Sequence, residues 1–193
     1  LSSEGAGAYI KCDIFKLWFH ILVSCIPAAI VGVLFDEKLE ELFYNYTTVA
    51  IMLILFGIAF IIVETMHHGK KAKEGIDYKL AAYIGLFQLI AAIFPGTSRS
   101  GATIVGALIL GVSRTVAAEY TFFLAVPVMF GASLLKGVKF LLHNSMTSQE
   151  GIILLVGMLV AFVVSLFVIR FLMGYIKKHD FKVFGWYRII LGI

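Results

Sequence analysis

From Gly151 to Met173 the chain runs twenty-three residues with a single charge, Arg170. As a helix at 1.5 Å per residue such a run reaches about 34 Å, enough to cross a hydrocarbon core of about 30 Å. Three more runs read the same way: Lys16 to Phe35, Thr47 to Met66 and Ala117 to Leu135. In lipid every backbone donor must find its partner inside the protein, so only helices or closed barrels cross. The short alternating strands of a barrel are absent from the pattern. The fold class this predicts is an all-α polytopic membrane protein, a transmembrane helix bundle. Composition agrees: 61% of residues are hydrophobic, 15% are charged and mean hydropathy is +0.97. Soluble domains carry about 25% charged residues.

Two structural halves are predicted. Residues 1–78 hold a weakly structured lead-in (1–15), two spanning helices separated by an acidic loop at Asp36-Glu37-Lys38-Leu39-Glu40-Glu41, and a basic connector from His67. Residues 79–193 hold a hairpin at 79–112, helices 117–135 and 151–173 joined by a polar loop from Lys136 to Glu150, and a last helix at 181–193. The chain opens without an initiator methionine and closes inside an apolar run too short to span, which predicts a fragment of a longer protein. Cys12 and Cys25 read as free thiols.

The arms of the hairpin, Leu80 to Phe94 and Ala102 to Leu110, are too short to cross. The distribution of basic residues decides their path. If the arms dip in and return to the same side, Lys11, Lys16, Lys70, Lys71, Lys73, Lys79, Arg114, Arg170, Lys177, Lys178 and Lys182 are cytoplasmic. The outer loops then hold only Lys38, Lys136 and Lys139. A single crossing would put the Lys177–Lys182 cluster outside. A re-entrant hairpin is therefore predicted, its tip toward the outer face and lining a polar cavity. The net charge of +4 is spent on this anchoring, and no nucleic-acid partner is indicated.

The tip is Phe94-Pro95-Gly96-Thr97-Ser98-Arg99-Ser100-Gly101-Ala102-Thr103. Pro95 and Gly96 end one helix, and Ser100 is a candidate N-cap for the next. Hydroxyls of Ser98, Ser100 and Thr103, amides at a helix N-terminus and the Arg99 guanidinium converge there, which suits an anion and phosphate above all. A charge at membrane depth is costly and usually functional. The competing role for Arg99 is a structural tie to nearby carbonyls. The serines compete as caps, and Gln88, two turns before Pro95, is either a pocket residue or a packing amide. Glu64 and Glu119 are candidate carboxylates, with interfacial solvation the simpler reading and an Arg114 pair open to Glu119. The five histidines show no metal-ligand spacing; His67 and His68, being adjacent, diverge on a helix.

Gln88, the Pro95–Thr103 loop, Gly111-Val112-Ser113-Arg114, Phe122-Phe123-Leu124-Ala125-Val126-Pro127 and the first-helix segment from His20 to Phe35 together resemble the undecaprenyl-diphosphate phosphatase family, the bacitracin-resistance phosphatases. The likeness runs from about Lys16 to Ile193. It implies an integral enzyme of the bacterial cytoplasmic membrane, built from inverted repeats, that removes the terminal phosphate of undecaprenyl diphosphate for cell-wall synthesis. Its site would face the extracytoplasmic side and depend on a divalent cation, Mg2+ or Ca2+. Arg99, Ser98, Ser100 and Thr103 would be its catalytic residues here, and Gln88, Gly96 and Gly101 would contact substrate. The likeness leaves room for a homodimer. The family's Glu-x-x-x-Glu pair and Ser-Ser-x-Gly-His loop have no counterpart here, Ser2-Ser3-Glu4-Gly5 being no match, so the metal ligands are expected in a segment outside this chain. The rival from the residues alone is a transporter or flippase for a lipid-linked phosphate or small anion, which would aim half-helices at a midplane site in the same way.

Overall fold

A computed structural model describes residues 3–67, 73–143, 147–176 and 178–193. Among them seven helices follow in order: α1 (Ser3–Phe43), α2 (Tyr46–His67), α3 (Tyr78–Ile93), α4 (Arg99–Ile109), α5 (Arg114–His143), α6 (Ser148–Ile176) and α7 (Lys182–Gly192). Four stretches are long and apolar enough to cross a membrane: Ile14–Phe35, Tyr46–Met66, Arg114–Leu142 and Ser148–Ile176. The protein is a multi-pass membrane protein.

Three segments read as irregular are helical. From Ser3 on the lead-in belongs to α1, the acidic run 36–41 continues it to Phe43, and α5 absorbs the polar stretch from Lys136 as far as His143. Leu, Glu, Lys and Phe carry no helix-breaking chemistry, and charge alone does not stop a helix that has already left the hydrocarbon. Breaks fall where side chains offer a cap. Asn45 Oδ1 accepts from the Thr48 amide at 2.8 Å and Asp77 Oδ1 from that of Leu80 at 2.7 Å. Thr147 and Glu150 form a reciprocal capping box, the Thr147 amide donating to the carboxylate at 2.8 Å and the Glu150 amide to Thr147 Oγ1 at 3.4 Å.

The hairpin α3–α4 enters and leaves at one end. The Lys73 amide donates to the Gly111 carbonyl at 2.8 Å and the Ser113 amide to the Lys73 carbonyl at 3.0 Å, so the flanking segments are clasped side by side. Sixteen residues of α3 rise about 24 Å from that clasp. The tip then lies beside the turn between α1 and α2, and Gly96 packs on the backbone of Val49. The hairpin thus begins and ends at the same end of the bundle.

Packing is densest around α4, where every residue from Gly101 to Leu108 is buried. One apolar cluster joins Ile21, Ile84, Ala107 and Leu124 across α1, α3, α4 and α5; a second joins Phe60, Ile104, Val105 and Ile176 across α2, α4 and α6. Helices approach where side chains vanish. A Cβ on Gly185 of α7 would lie 2.7 Å from the Gly57 carbonyl of α2, and one on Gly85 of α3 would lie 2.7 Å from the Ser24 carbonyl of α1. Such small-residue crossings are how membrane helices gain contact without a hydrophobic drive. By contrast, α6 exposes its apolar residues from Ile152 through Phe171, a surface matched to lipid.

Candidate active site

The chain reverses between α3 and α4 through two left-handed residues, Gly96 at φ 84° and Ser98 at φ 64°. Gly96 takes that conformation freely and also has no room for a Cβ, which would meet the Val49 carbonyl at 2.6 Å. Ser98 is the one non-glycine residue with positive φ among those described. It is also the N-cap of α4: its Oγ accepts from the Gly101 amide at 3.3 Å and its carbonyl from the Ala102 amide at 2.9 Å. The expectation that Ser100 caps this helix is corrected, because the left-handed turn places Ser98, not Ser100, outside the first helical residue. The Ser100 hydroxyl lies 3.3 Å from that of Ser98.

This cap leaves the amides of Arg99 and Ser100 open, since a first helical turn has no carbonyl to receive them. Thr103, fully buried, donates from Oγ1 toward the carbonyls of Arg99 and Ser100, both at 3.1 Å, and accepts from Thr121 Oγ1 of α5 at 3.0 Å. Its hydroxyl is thus engaged in holding the first turn against α5. Gln88 is equally buried; its amide reaches the Ser24 carbonyl at 3.4 Å, and Ser24 in turn joins the Ala81 carbonyl and Tyr120 of α5.

A cavity of about 580 Å³ opens beside this turn, its polar wall made by Gln88, Ser98, Arg99, Ser100, Thr103 and Thr121. Tyr44, Phe94, Ala125 and Met129 add apolar surface. Gly96 also lines it. Gly101 does not: it borders a smaller apolar groove of about 220 Å³ with Phe60, Ile104 and Phe184. The Arg99 guanidinium makes no ion pair or hydrogen bond among the described residues, so its charge is available to the cavity. Among those residues the wall carries no carboxylate.

The structural role weighed for Arg99 is performed by Arg188 of α7. Its Nη2 donates to the carbonyls of Gly96 at 2.6 Å and Thr97 at 2.8 Å, and the side chain is buried. Reading the sequence gave Arg188 no task. The signal was there, a lone cation in the apolar run from Val183 to Ile193, while its partners 91 and 92 residues away were not.

Glu64 is corrected as well. It is 1% exposed and paired with Arg114, not solvated at an interface. Glu119 is exposed and not the partner of Arg114. Five residues on a helix turn about 140° beyond a full circle, so 114 and 119 point apart. His20 packs edge-on to Tyr78 and His179 stacks on Tyr175. The side chains of His67, His68, His143 and Cys12 lie outside the described residues; Cys25 is a free thiol. Among the described residues no group of His, Cys, Asp or Glu could hold a metal ion. The cavity wall, cationic and hydroxyl-rich, does not fit a divalent cation. A guanidinium, hydroxyls and open amides on one wall suit an anion.

Comparison with known proteins agrees in chemistry. The model of the family "Bacitracin resistance protein BacA" matches residues 3–193. Undecaprenyl-diphosphatase 1 of Clostridium acetobutylicum is 63% identical over 194 residues, covering 98% of this chain and 70% of the relative. An undecaprenyl-diphosphatase of Desulfitobacterium hafniense is 62% identical over 191 residues, covering 97% and 68%. That of Lachnoclostridium phytofermentans is 59% identical over 188 residues, covering 95% and 67%.

Proposed function

This chain belongs to the BacA family of bacitracin resistance proteins, and from that premise we propose that it hydrolyses undecaprenyl diphosphate to undecaprenyl phosphate and inorganic phosphate, recycling the carrier lipid of peptidoglycan synthesis. The observation that carries the assignment to this site is the unpaired Arg99 guanidinium among open amides and hydroxyls on one cavity wall. Phosphoryl transfer demands positioning and charge stabilisation more than covalent help. A planar fork suits phosphate oxygens, and the N-terminus of α4 adds a positive dipole end. Arg99 with the amides of Arg99 and Ser100 grips the diphosphate, and Ser98 and Ser100 donate hydroxyls beside it. Thr103 fixes the first turn from below, Gln88 closes the inner wall, and Gly96 permits the turn that aims all of them. The transport reading is not favoured, since the relatives carry the names of phosphatases.

The location we propose is the bacterial cytoplasmic membrane, with the cavity opening to the extracytoplasmic side. Supporting this, the tip lies at the end of the bundle that carries Tyr44, and the clasp at Lys73 and Gly111 lies at the other, where basic residues collect. The resemblance implies Mg2+ or Ca2+, with its ligands expected outside this chain; among the described residues no group of His, Cys, Asp or Glu could hold the ion. Phosphate release from undecaprenyl diphosphate by the full-length protein tests the assignment. Removing one preorganised donor to developing charge costs about 10²–10³ in rate, so Arg99→Ala is expected to lose at least that.

A further inference from the structure

Arg188 makes two charge-assisted hydrogen bonds from one nitrogen to consecutive carbonyls, those of Gly96 and Thr97. These carbonyls belong to the stretch from the left-handed Gly96 to the left-handed Ser98, the part of the turn least able to hold itself. A non-glycine residue in that conformation persists only when its surroundings over-determine it. Here the surroundings are few. The Thr97 amide reaches the Phe94 carbonyl at 3.4 Å, a long bond, and the buried Thr97 hydroxyl has no partner among the described residues. Arg188 is the strong contact. It arrives on α7, which is fixed in turn by the Gly57–Gly185 crossing onto α2.

The fit extends to Gly101. A Cβ there would press on Phe60, Ser98 and Arg188 at 3.3–3.4 Å, so the missing side chain at 101 makes room for the guanidinium beneath the first turn of α4. Gly101 therefore serves the arginine, which explains why it borders the groove and not the main cavity.

We propose that Arg188 is a positioning residue for the phosphatase: by holding the Gly96 and Thr97 carbonyls it locks the strained turn that presents Arg99 and the open α4 amides to substrate. The proposal rests on the phosphatase reading for its kinetic consequence, but its structural content stands apart from it. Arg188 does not touch the main cavity. It acts through the backbone of the turn that leads into Arg99.

The test uses the full-length protein in detergent, with Cys12 and Cys25 replaced by serine and Thr97→Cys as a reporter. Thr97 is fully buried, so the reporter thiol is expected to resist a water-soluble maleimide while Arg188 is present and to react at least about tenfold faster in Arg188→Ala, as a local opening allows. Without the reporter substitution, phosphate release by Arg188→Ala is expected to fall about 10²-fold through kcat, with KM for the lipid little changed, since a misplacement near 1 Å costs that much. Added ethylguanidinium restores both shielding and rate if the lost group is the guanidinium itself. Arg188→Lys, which keeps the charge and most of the volume, serves if the alanine variant does not fold; its shorter stem holds the ammonium farther from the two carbonyls, and it is expected to show the same two changes, smaller. Unaltered labelling of the reporter thiol, or a wild-type kcat in both variants, overturns the proposal. Should the wild type itself release no phosphate, the enzymatic reading fails, while the labelling contrast still decides whether Arg188 holds the turn.

Discussion

At Ser98 one residue carries two burdens that substitution can separate. Its hydroxyl caps α4 and faces the cavity, and its backbone sits at φ 64°. Ser98→Ala removes the cap and keeps the backbone conflict, a loss of about 1 kcal/mol in unfolding free energy. Ser98→Gly removes the hydroxyl but suits the left-handed backbone, so its stability should stay within a few tenths of a kcal/mol of wild type. If both lose activity equally while only the alanine loses stability, the hydroxyl serves substrate; calorimetry beside phosphate release reads the two. Arg99→Lys asks a parallel question of geometry. An ammonium keeps the charge and loses the planar fork, so kcat/KM should recover only part of what Arg99→Ala removes. The loop reads as a candidate anion site because hydroxyls, glycine and arginine are rare together in an apolar chain. The division of labour between Arg99 and Arg188 was not legible, because a side chain 92 residues away finds its carbonyl only in three dimensions.

Among the elements, α2 and α7 cross with no side chain between Gly57 and Gly185. Gly185→Val should cost about 1–3 kcal/mol through overpacking, read as a lowered thermal midpoint in detergent. Gly157→Ala on α6, where a Cβ meets nothing within 4 Å, should be neutral or raise it. Equal effects at both positions would mean that the crossing is not a close one. Between α2 and α5, the buried Glu64 carboxylate pairs with the half-buried Arg114 guanidinium. Glu64→Leu alone leaves a partly buried guanidinium unpaired and should cost about 3 kcal/mol, with Arg114→Leu added in the same chain recovering much of it. A double-mutant cycle by thermal or denaturant unfolding gives the coupling directly. Hydropathy located the spanning helices but misjudged their ends at 36–43 and 136–143, because a helix leaving the bilayer continues in polar residues until a cap such as Asn45 or Thr147 stops it. The same reading put Glu64 at an interface, since no single-helix pattern shows the arginine that faces it.

For the whole molecule, the clasp at Lys73 and Gly111 returns the chain to the end of the bundle from which it entered, and everything after it is expected to take the orientation of a hairpin that does not cross. Single cysteines at Asn45 and Asp180, in a background lacking Cys12 and Cys25, report that path to a membrane-impermeant maleimide. Position 45 should label in intact cells and position 180 only after permeabilisation. Labelling of both from outside would mean that residues 80–110 cross once. A multi-pass bundle with a buried half-helix aimed at a cavity follows from the lengths of its apolar runs and from one polar tip. What those lengths could not convey is that α4, eleven residues long, would be the most enclosed element of all. Its burial comes from α2, α3 and α5 closing around it, a result of tertiary packing that periodicity along one helix does not encode.

The central claim is that the Arg99 wall of the cavity binds and turns over a lipid diphosphate. Phosphate release from undecaprenyl diphosphate, measured on the full-length wild type and its Arg99→Ala variant at matched folding, tests it most directly. The account predicts turnover by the wild type and a loss of at least about 10²-fold in the variant. Equal turnover by the two proteins, or binding of the lipid by the wild type with no phosphate released, would contradict it.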